Sequence, residues 1–359
     1  MIRAHATGWR ALIAVALALA AAVALVACGG GGHATGATDP PATTTTTSTT
    51  ATAATAARGS GPLAGFKLWI NPYSPAAVQA QIWRRDGSKQ DAALVSRIAA
   101  QPTFKWLTGG SQPAQQVAAS FVDRAQRSQA VAQLVLYNIP DRDCHGLSGG
   151  GAADAPAYLE WVRQVMAGIG DHRVIIILEP DAIDQAASGC LSADDAHERY
   201  GMLANATKLI ERDTQARVYL DAGSAGWLAP KQIAQPMYLS GISQDAGFSL
   251  NVSNFYSTAQ SIAYGRELSK LVGGKHFVID TSRNGNGAPP GGPGVNEWCN
   301  PPGRALGHPP TTNTGVAGVD AFLWVKYPGQ SDGSCRAGEP PAGTWWPSYA
   351  LSLVRDTPR

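Results

Sequence analysis

The sequence has no excess of charge of either sign. Its 28 Lys and Arg stand against 26 Asp and Glu, and setting aside Arg3 and Arg10 of the amino-terminal segment leaves 26 of each. Without a basic cluster to neutralise phosphates, nucleic acid is not an expected partner. Cysteine is scarce at five residues, no Cys-x-x-Cys occurs, and the seven His are scattered, so no zinc site is expected. The run N-G-N-G-A-P-P-G-G-P-G after Arg283 lacks the Lys-Ser/Thr of a phosphate cradle. The stretch Ala222-Gly223-Ser224-Ala225-Gly226 faintly resembles a nucleophile elbow, but no His is evidently placed to partner Ser224. These absences leave a protein expected to work with no metal and no cofactor.

What is present begins with an address. Arg3 and Arg10 precede an uncharged apolar run from Ala11 to Ala27, the layout of an export signal, here assigned to residues 1–27. Leu25-Val26-Ala27-Cys28 is similar to a bacterial lipobox, which would tether the chain to a membrane through Cys28. An ordinary cleaved signal and an uncleaved anchor are the alternatives. Each places the body of the protein outside the cytoplasm, secreted or held at a surface. Residues 28–62, rich in Gly, Thr, Ala and Pro, have almost nothing to bury and read as a disordered linker.

Residues 63–359 contain no second low-complexity break, so one large domain is expected, working as a monomer. Strand-like runs recur at Phe66–Ile70, Thr103–Leu107, Leu134–Ile139, Val174–Leu178, Arg217–Leu220, Phe248–Val252, His276–Ile279 and Ala321–Val325. Helical patterns lie between most of them, such as Val117–Gln129, Ala157–Ile169, Ala193–Arg212 and Ala259–Leu271. This alternation predicts an α/β fold with a parallel sheet, closed into a barrel by seven or eight repeats, with a doubly wound open sheet as the alternative.

The central stretch is V-I-I-I-L-E-P-D-A-I, from Val174 to Ile183. Its apolar run reads as a strand buried on both faces, broken by Glu179, Pro180 and Asp181 at the carboxyl edge of the sheet, where α/β active sites sit. For a lone Asp181, capping of the next helix is the alternative. The pattern repeats, however. Asp143, Asp221 and Asp332 also follow strand-like runs, so four carboxyl groups would converge on one cleft. Convergent carboxylates raise each other's pKa, keeping one protonated while another stays ionised, which is what glycosidic hydrolysis needs. Cys144, Cys190, Cys299 and Cys335 allow three disulfide connectivities. Pairing in order would pin the loops that carry Asp143 and Asp332.

Y-N-I-P-D-R-D-C from Tyr137, I-L-E-P-D from Ile177, Y-L-D-A-G from Tyr219, F-V-I-D-T-S-R-N-G-N-G from Phe277, N-E-W-C from Asn296, and A-F-L-W-V-K with P-G-Q-S-D-G up to Gly333 together resemble the cellulases of glycoside hydrolase family 6, in that family's order. The resemblance implies a distorted seven-stranded parallel (β/α) barrel that hydrolyses β-1,4-glucan with inversion. It implies that Asp181 is the general acid, that Asp143 is the second aspartate, raising the acid's pKa and helping to move the water's proton, and that Asp332 is the proposed base. Tyr137 matches the tyrosine that crowds the sugar at the point of cleavage, Asp221 a further cleft carboxylate, and Ser148 a mobile lid serine. Trp227, Trp298, Asn251, Asn254 and Lys326 match cleft residues, and Tyr73 matches an aromatic that stacks on sugar in some members.

Two positions depart from the family pattern: Ser224 stands where histidine is usual, and Gln330 where the glutamate of Pro-Gly-Glu is usual. Both are expected at sugar hydroxyls, so the departures bear on specificity. The two segments spanned by the cysteines are short, which implies an open cleft and endo action. A cellobiohydrolase, or a surface glucan binder without turnover, is the alternative.

Overall fold

A computed structural model describes residues 61–243, 246–291 and 295–358, without the side chains of residues 295 and 296. The expected export signal, Cys28 and nearly all of the expected linker lie outside the described residues. Seven strands form one sheet: β1 (Lys105–Leu107), β2 (Ala132–Leu136), β3 (Val174–Leu178), β4 (Arg217–Asp221), β5 (Gly247–Leu250), β6 (Phe277–Asp280) and β7 (Val319–Leu323). They are parallel and lie in chain order from β1 to β7.

Among the described residues no ladder joins β7 back to β1. A hydrogen bond from Phe104 N to the Trp324 carbonyl, at 3.4 Å, and one from Trp106 Nε1 to the Val325 carbonyl, at 2.9 Å, cross that seam. This seam is the distortion of the expected barrel. Phe66–Ile70 does not form the expected strand: it makes only the isolated parallel bridge Leu68–Val131, and Pro72 has no N–H with which to extend the pairing.

The helices are α1 (Pro75–Arg85), α2 (Lys89–Ala99), α3 (Ala114–Arg127), α4 (Ala155–Ile169), α5 (Ala182–Ala187), α6 (Ala193–Asp213), α7 (Pro230–Leu239), α8 (Thr258–Leu271), α9 (Val295–Trp298) and α10 (Pro347–Arg355). Their starts follow from local chemistry. Asp154 and Ser192 accept hydrogen bonds from the N–H groups of Ala157 and Asp195, and Ser257 forms a capping box with Gln260.

Alternation along the strands divides the core into two layers. Leu134, Leu136, Ile176 and Leu178 pack outward against the helices. Val135, Ile175, Ile177, Val278 and Leu323 fill the barrel interior. A third cluster joins α1, α2 and α10 through Ala80, Ile98 and Leu353. Both strand faces are therefore apolar and buried, and polar side chains are admitted mainly at the strand ends.

The cysteines pair as Cys144–Cys190 and Cys299–Cys335, across sequence separations of 46 and 36. In the chain-entropy picture each closure contributes roughly 3 to 4 kcal/mol. Among the described residues no helix is long and apolar enough to cross a membrane.

Candidate active site

A cleft of about 430 Å³ opens at the carboxyl ends of the strands, and Asp143, Asp181 and Asp332 all line it. A larger hollow of about 740 Å³ lies at the opposite end of the sheet, beside Arg217 and His276, and carries none of the four expected acids.

The loop after β2 carries Tyr137, Asp143 and Ser148 into the cleft, folded around Arg142. The Arg142 guanidinium lies 4.7 Å from the centre of the Tyr137 ring and donates to the carbonyls of Tyr137 at 2.7 Å and Ser148 at 2.8 Å. Asp143, Cys144 and His145 all have positive φ, at 58°, 46° and 63°. Three consecutive non-glycine residues in that region are strained and must be held from outside, here by the disulfide to Cys190. The Asp143 carboxylate accepts from Ser148 N at 2.7 Å and from Gln185 Nε2 at 3.2 Å. Trp106 packs edge-on against Tyr137, with ring centres 5.2 Å apart.

Asp181 follows β3 in a left-handed turn with φ of 69°. Its N–H donates to Asp221 Oδ1 at 2.9 Å, so the buried acid at the end of β4 fixes the turn that presents Asp181. Asp221 also accepts from Gly223 N at 3.2 Å and Ser249 Oγ at 2.9 Å, and it lies beneath the cleft instead of lining it. Loss of water raises the Asp181 pKa well above the ordinary carboxyl value. The negative charges of Asp221 and Asp143 push the same way, against the opposing pull of Lys326. Burial pushes Asp221 up to about 7 despite its three donors.

Asp332 behaves in the opposite way. Burial alone would raise its pKa, but Arg283 at 2.8 Å and Lys326 at 3.0 Å outweigh that and hold it below the ordinary range. Asn300 N adds a hydrogen bond at 3.0 Å. One cleft thus contains a carboxyl group that keeps its proton and another that stays ionised. The arrangement can deliver a proton to a leaving oxygen while a fixed negative charge stands nearby.

Trp227 and Trp298 line the cleft with 38% and 39% of their surface exposed, far more than packing alone would leave a core indole. Asn254 and Lys326 line it as well, and so does Ser224, although it is nearly buried. Asn251 is buried, donating to the carbonyls of Asp280 at 2.9 Å and Tyr256 at 3.2 Å, so its amide ties loops together. Gln330 lies outside the lining and bridges to Trp345. Tyr73 is also outside, 68% exposed and under the Arg124 guanidinium. The structure therefore separates Tyr73, Asn251 and Gln330 from the cleft surface.

Several contributors carried no individual signal in the sequence. Trp106 belongs to the strand-like run Thr103–Leu107. Arg283 was visible only within the run from Phe277. Glu297 was visible only within N-E-W-C, and Gln185 and Tyr256 line the cleft with nothing local to mark them. The Tyr256 hydroxyl donates to Glu297, and a Cβ on Gly226 would collide with that phenol, which accounts for glycine there. Among the described residues the one cluster spaced for a metal is Cys299, Cys335 and Glu339, and its sulfurs are joined in a disulfide.

Residues 63–357 match the sequence profile of the family described as Glycosyl hydrolases family 6. The chain is 41% identical over 297 residues to Endoglucanase A of Cellulomonas fimi, covering 82% of this chain and 62% of that protein, so it spans less than two thirds of that relative's length. It is 30% identical to the 1,4-beta-D-glucan cellobiohydrolase C of Emericella nidulans, over 84% of this chain and 79% of that protein. Among solved structures, the endoglucanase Cel6 from Mycobacterium tuberculosis, in complex with methyl-cellobiosyl-4-deoxy-4-thio-beta-D-cellobioside, superposes with a TM-score of 0.77. That match has 43% identity and covers 82% of this chain and 98% of the other.

Proposed function

The chain belongs to glycosyl hydrolase family 6, and from that premise we propose that it cleaves internal β-1,4-glucosidic bonds of a glucan with inversion at the anomeric carbon. The observation that carries the reading is the opposed state of Asp181 and Asp332 in one cleft.

In this reading a glucan chain lies along the cleft with sugar faces on Trp227 and Trp298, whose flat apolar surfaces suit a pyranose ring. Tyr137 crowds the sugar at the scissile bond. Asp181 gives its proton to the glycosidic oxygen as the bond from that oxygen to the anomeric carbon breaks. A water adds to the anomeric carbon from the opposite face, and its proton leaves toward Asp143, which Ser148 and Gln185 orient. Asp332, ion-paired to two cations, is a weak proton acceptor. Its part is a constant negative charge near the developing oxocarbenium ion.

The Cys144–Cys190 and Cys299–Cys335 segments are short, which favours an open cleft and endo action. Export under the direction of residues 1–27, with a membrane tether if Cys28 is acylated, fits a glucan substrate outside the cell. Two disulfides support an oxidising compartment. The catalytic unit is proposed to act as a monomer on residues 63–359, with residues 28–62 as spacer.

Carboxymethylcellulose given to the wild-type protein tests the function, with viscosity and new reducing ends followed together. Rapid viscosity loss with few reducing ends is expected. Reducing ends with little viscosity loss would indicate exo action, and binding without products would contradict hydrolysis.

A further inference from the structure

Glu179 stands two residues before Asp181, in the same turn, and the reaction outlined above gives it no task. It is buried and has a φ of 48°, a left-handed conformation that a glutamate adopts only under constraint. Its carboxylate reaches sideways across the strand ends to the loop after β2. There it accepts from Asn138 N at 3.0 Å to each oxygen and from Ile139 N at 3.1 Å. These are the two N–H groups that follow Tyr137. The turn that carries Asp181 and the loop that carries Tyr137 and Asp143 are therefore joined by one side chain beneath the cleft. The Glu179 N–H donates to the Leu136 carbonyl at 2.9 Å, so backbone and side chain tie the same two segments.

We propose that Glu179 is a positioning residue: its carboxylate sets the register between Tyr137 and Asp181, and so the approach of the proton donor to the distorted sugar. The inference rests on the glucanase reading.

The charged and titratable groups facing it are Tyr137 and Arg142 on its partner loop, Tyr158 on α4 and Arg199 on α6. Arg142 and Arg199 are engaged elsewhere, Arg142 with the Tyr137 and Ser148 carbonyls and Arg199 with those of Pro140 and Asp141. Neither makes a hydrogen bond to Glu179. The two N–H groups are its closest donors, the buried Tyr158 hydroxyl, which has no other partner, steadies the ionised form beside them, and burial nevertheless pushes the Glu179 pKa up to about 7. Ionised, the side chain accepts charge-assisted hydrogen bonds. Protonated, it holds the same N–H groups roughly half as strongly. The clamp is therefore tighter above neutrality than below.

The test is kcat and KM on a soluble cello-oligosaccharide from pH 5 to pH 8 for wild type and Glu179→Gln, whose amide imitates the protonated carboxyl. The expected ratio of wild-type to variant kcat is small at pH 5 and grows to about tenfold by pH 8, with its midpoint near 7 and KM little changed. A ratio constant across that range, or a change confined to KM, overturns the proposal. Glu179→Leu leaves two buried N–H groups without acceptors. If it fails to fold, Glu179→Gln still decides, and Glu179→Asp provides a second test because its shorter carboxylate keeps the charge but not the reach. Glu179→Asp is expected to lose kcat at every pH, and full activity in it would also overturn the proposal. Wild-type protein with no turnover would defeat the glucanase reading itself, an outcome distinct from wild-type turnover with a flat ratio.

Discussion

Arg283 and Asp332 form an ion pair, with Nη1 to Oδ2 at 2.8 Å, that is closed off from solvent on the arginine side and nearly so on the other. The guanidinium also lies 4.4 Å from the centre of the Phe255 ring, donates to Tyr349 Oη at 3.3 Å and reaches the Ser253 carbonyl. Residues separated by 49 positions are thereby fixed around one carboxylate, and the cost of keeping Asp332 charged in the interior is offset locally.

Breaking that pair from one side leaves a buried charge with half its partners. Arg283→Met is expected to lower stability by about 3 to 5 kcal/mol, read from denaturant unfolding. Arg283→Met combined with Asp332→Leu should cost less than the sum of the two single changes. Strict additivity would show that the two residues do not interact.

Asp181 is assigned the proton that the leaving oxygen needs. Asp181→Asn should therefore lower kcat on natural β-1,4-glucan by about 10² to 10⁴-fold. Much less should be lost on a dinitrophenyl cellobioside, whose phenolate departs without a proton. Equal losses on both substrates would point to a disturbed fold.

Gln185 was not marked in the sequence, yet its Nε2 holds Asp143 at 3.2 Å. Gln185→Leu removes that donor while keeping the volume. The expected result is a fall in kcat of about tenfold with the melting temperature within a few degrees of wild type.

The Cys144–Cys190 bridge restrains three strained residues beginning at Asp143. Replacing both cysteines by serine is expected to cost about 2 to 4 kcal/mol of stability. It should also reduce activity at temperatures where the protein is still fully folded. Unchanged kcat in the folded variant would show that the loop keeps its shape unaided.

Asp221 has its folded pKa raised from 3.8 to about 7, so the folded state binds a proton that the unfolded chain releases. That stabilisation is complete below about pH 4 and is lost as pH rises toward 7. Wild-type melting temperature should therefore decline over this window more steeply than that of Asp221→Asn. The amide can still accept from Asp181 and Gly223 while donating to Ser249. Parallel curves for the two proteins would show that Asp221 does not titrate there.

The sheet was readable because its strands are buried on both faces. Val174–Leu178 is apolar throughout and has the same bounds in sequence and structure, and β2, β4, β6 and β7 differ from their runs by only a few residues. The first run, Phe66–Ile70, is also strand-like but makes a single bridge, since composition does not reveal whether a neighbour completes the ladder. The carboxyl groups were legible because each follows a strand, and the cleft does gather Asp143, Asp181 and Asp332. Their partners were not. Arg283 meets Asp332, Gln185 meets Asp143, and Glu179 meets Asn138 only through tertiary folding, and nothing in their local sequence encodes the distant group. Likewise neither Tyr73, which lies under Arg124, nor Gln330, which bridges to Trp345, lines the cleft.

Proton NMR of a cello-oligosaccharide digest, recorded before the new anomeric centres equilibrate with water, tests the central claim most directly. Products that first carry the α-anomer, formed from a β-linked substrate, are predicted by single displacement at the Asp181 cleft. First appearance of the β-anomer, or no cleavage at all, would contradict it.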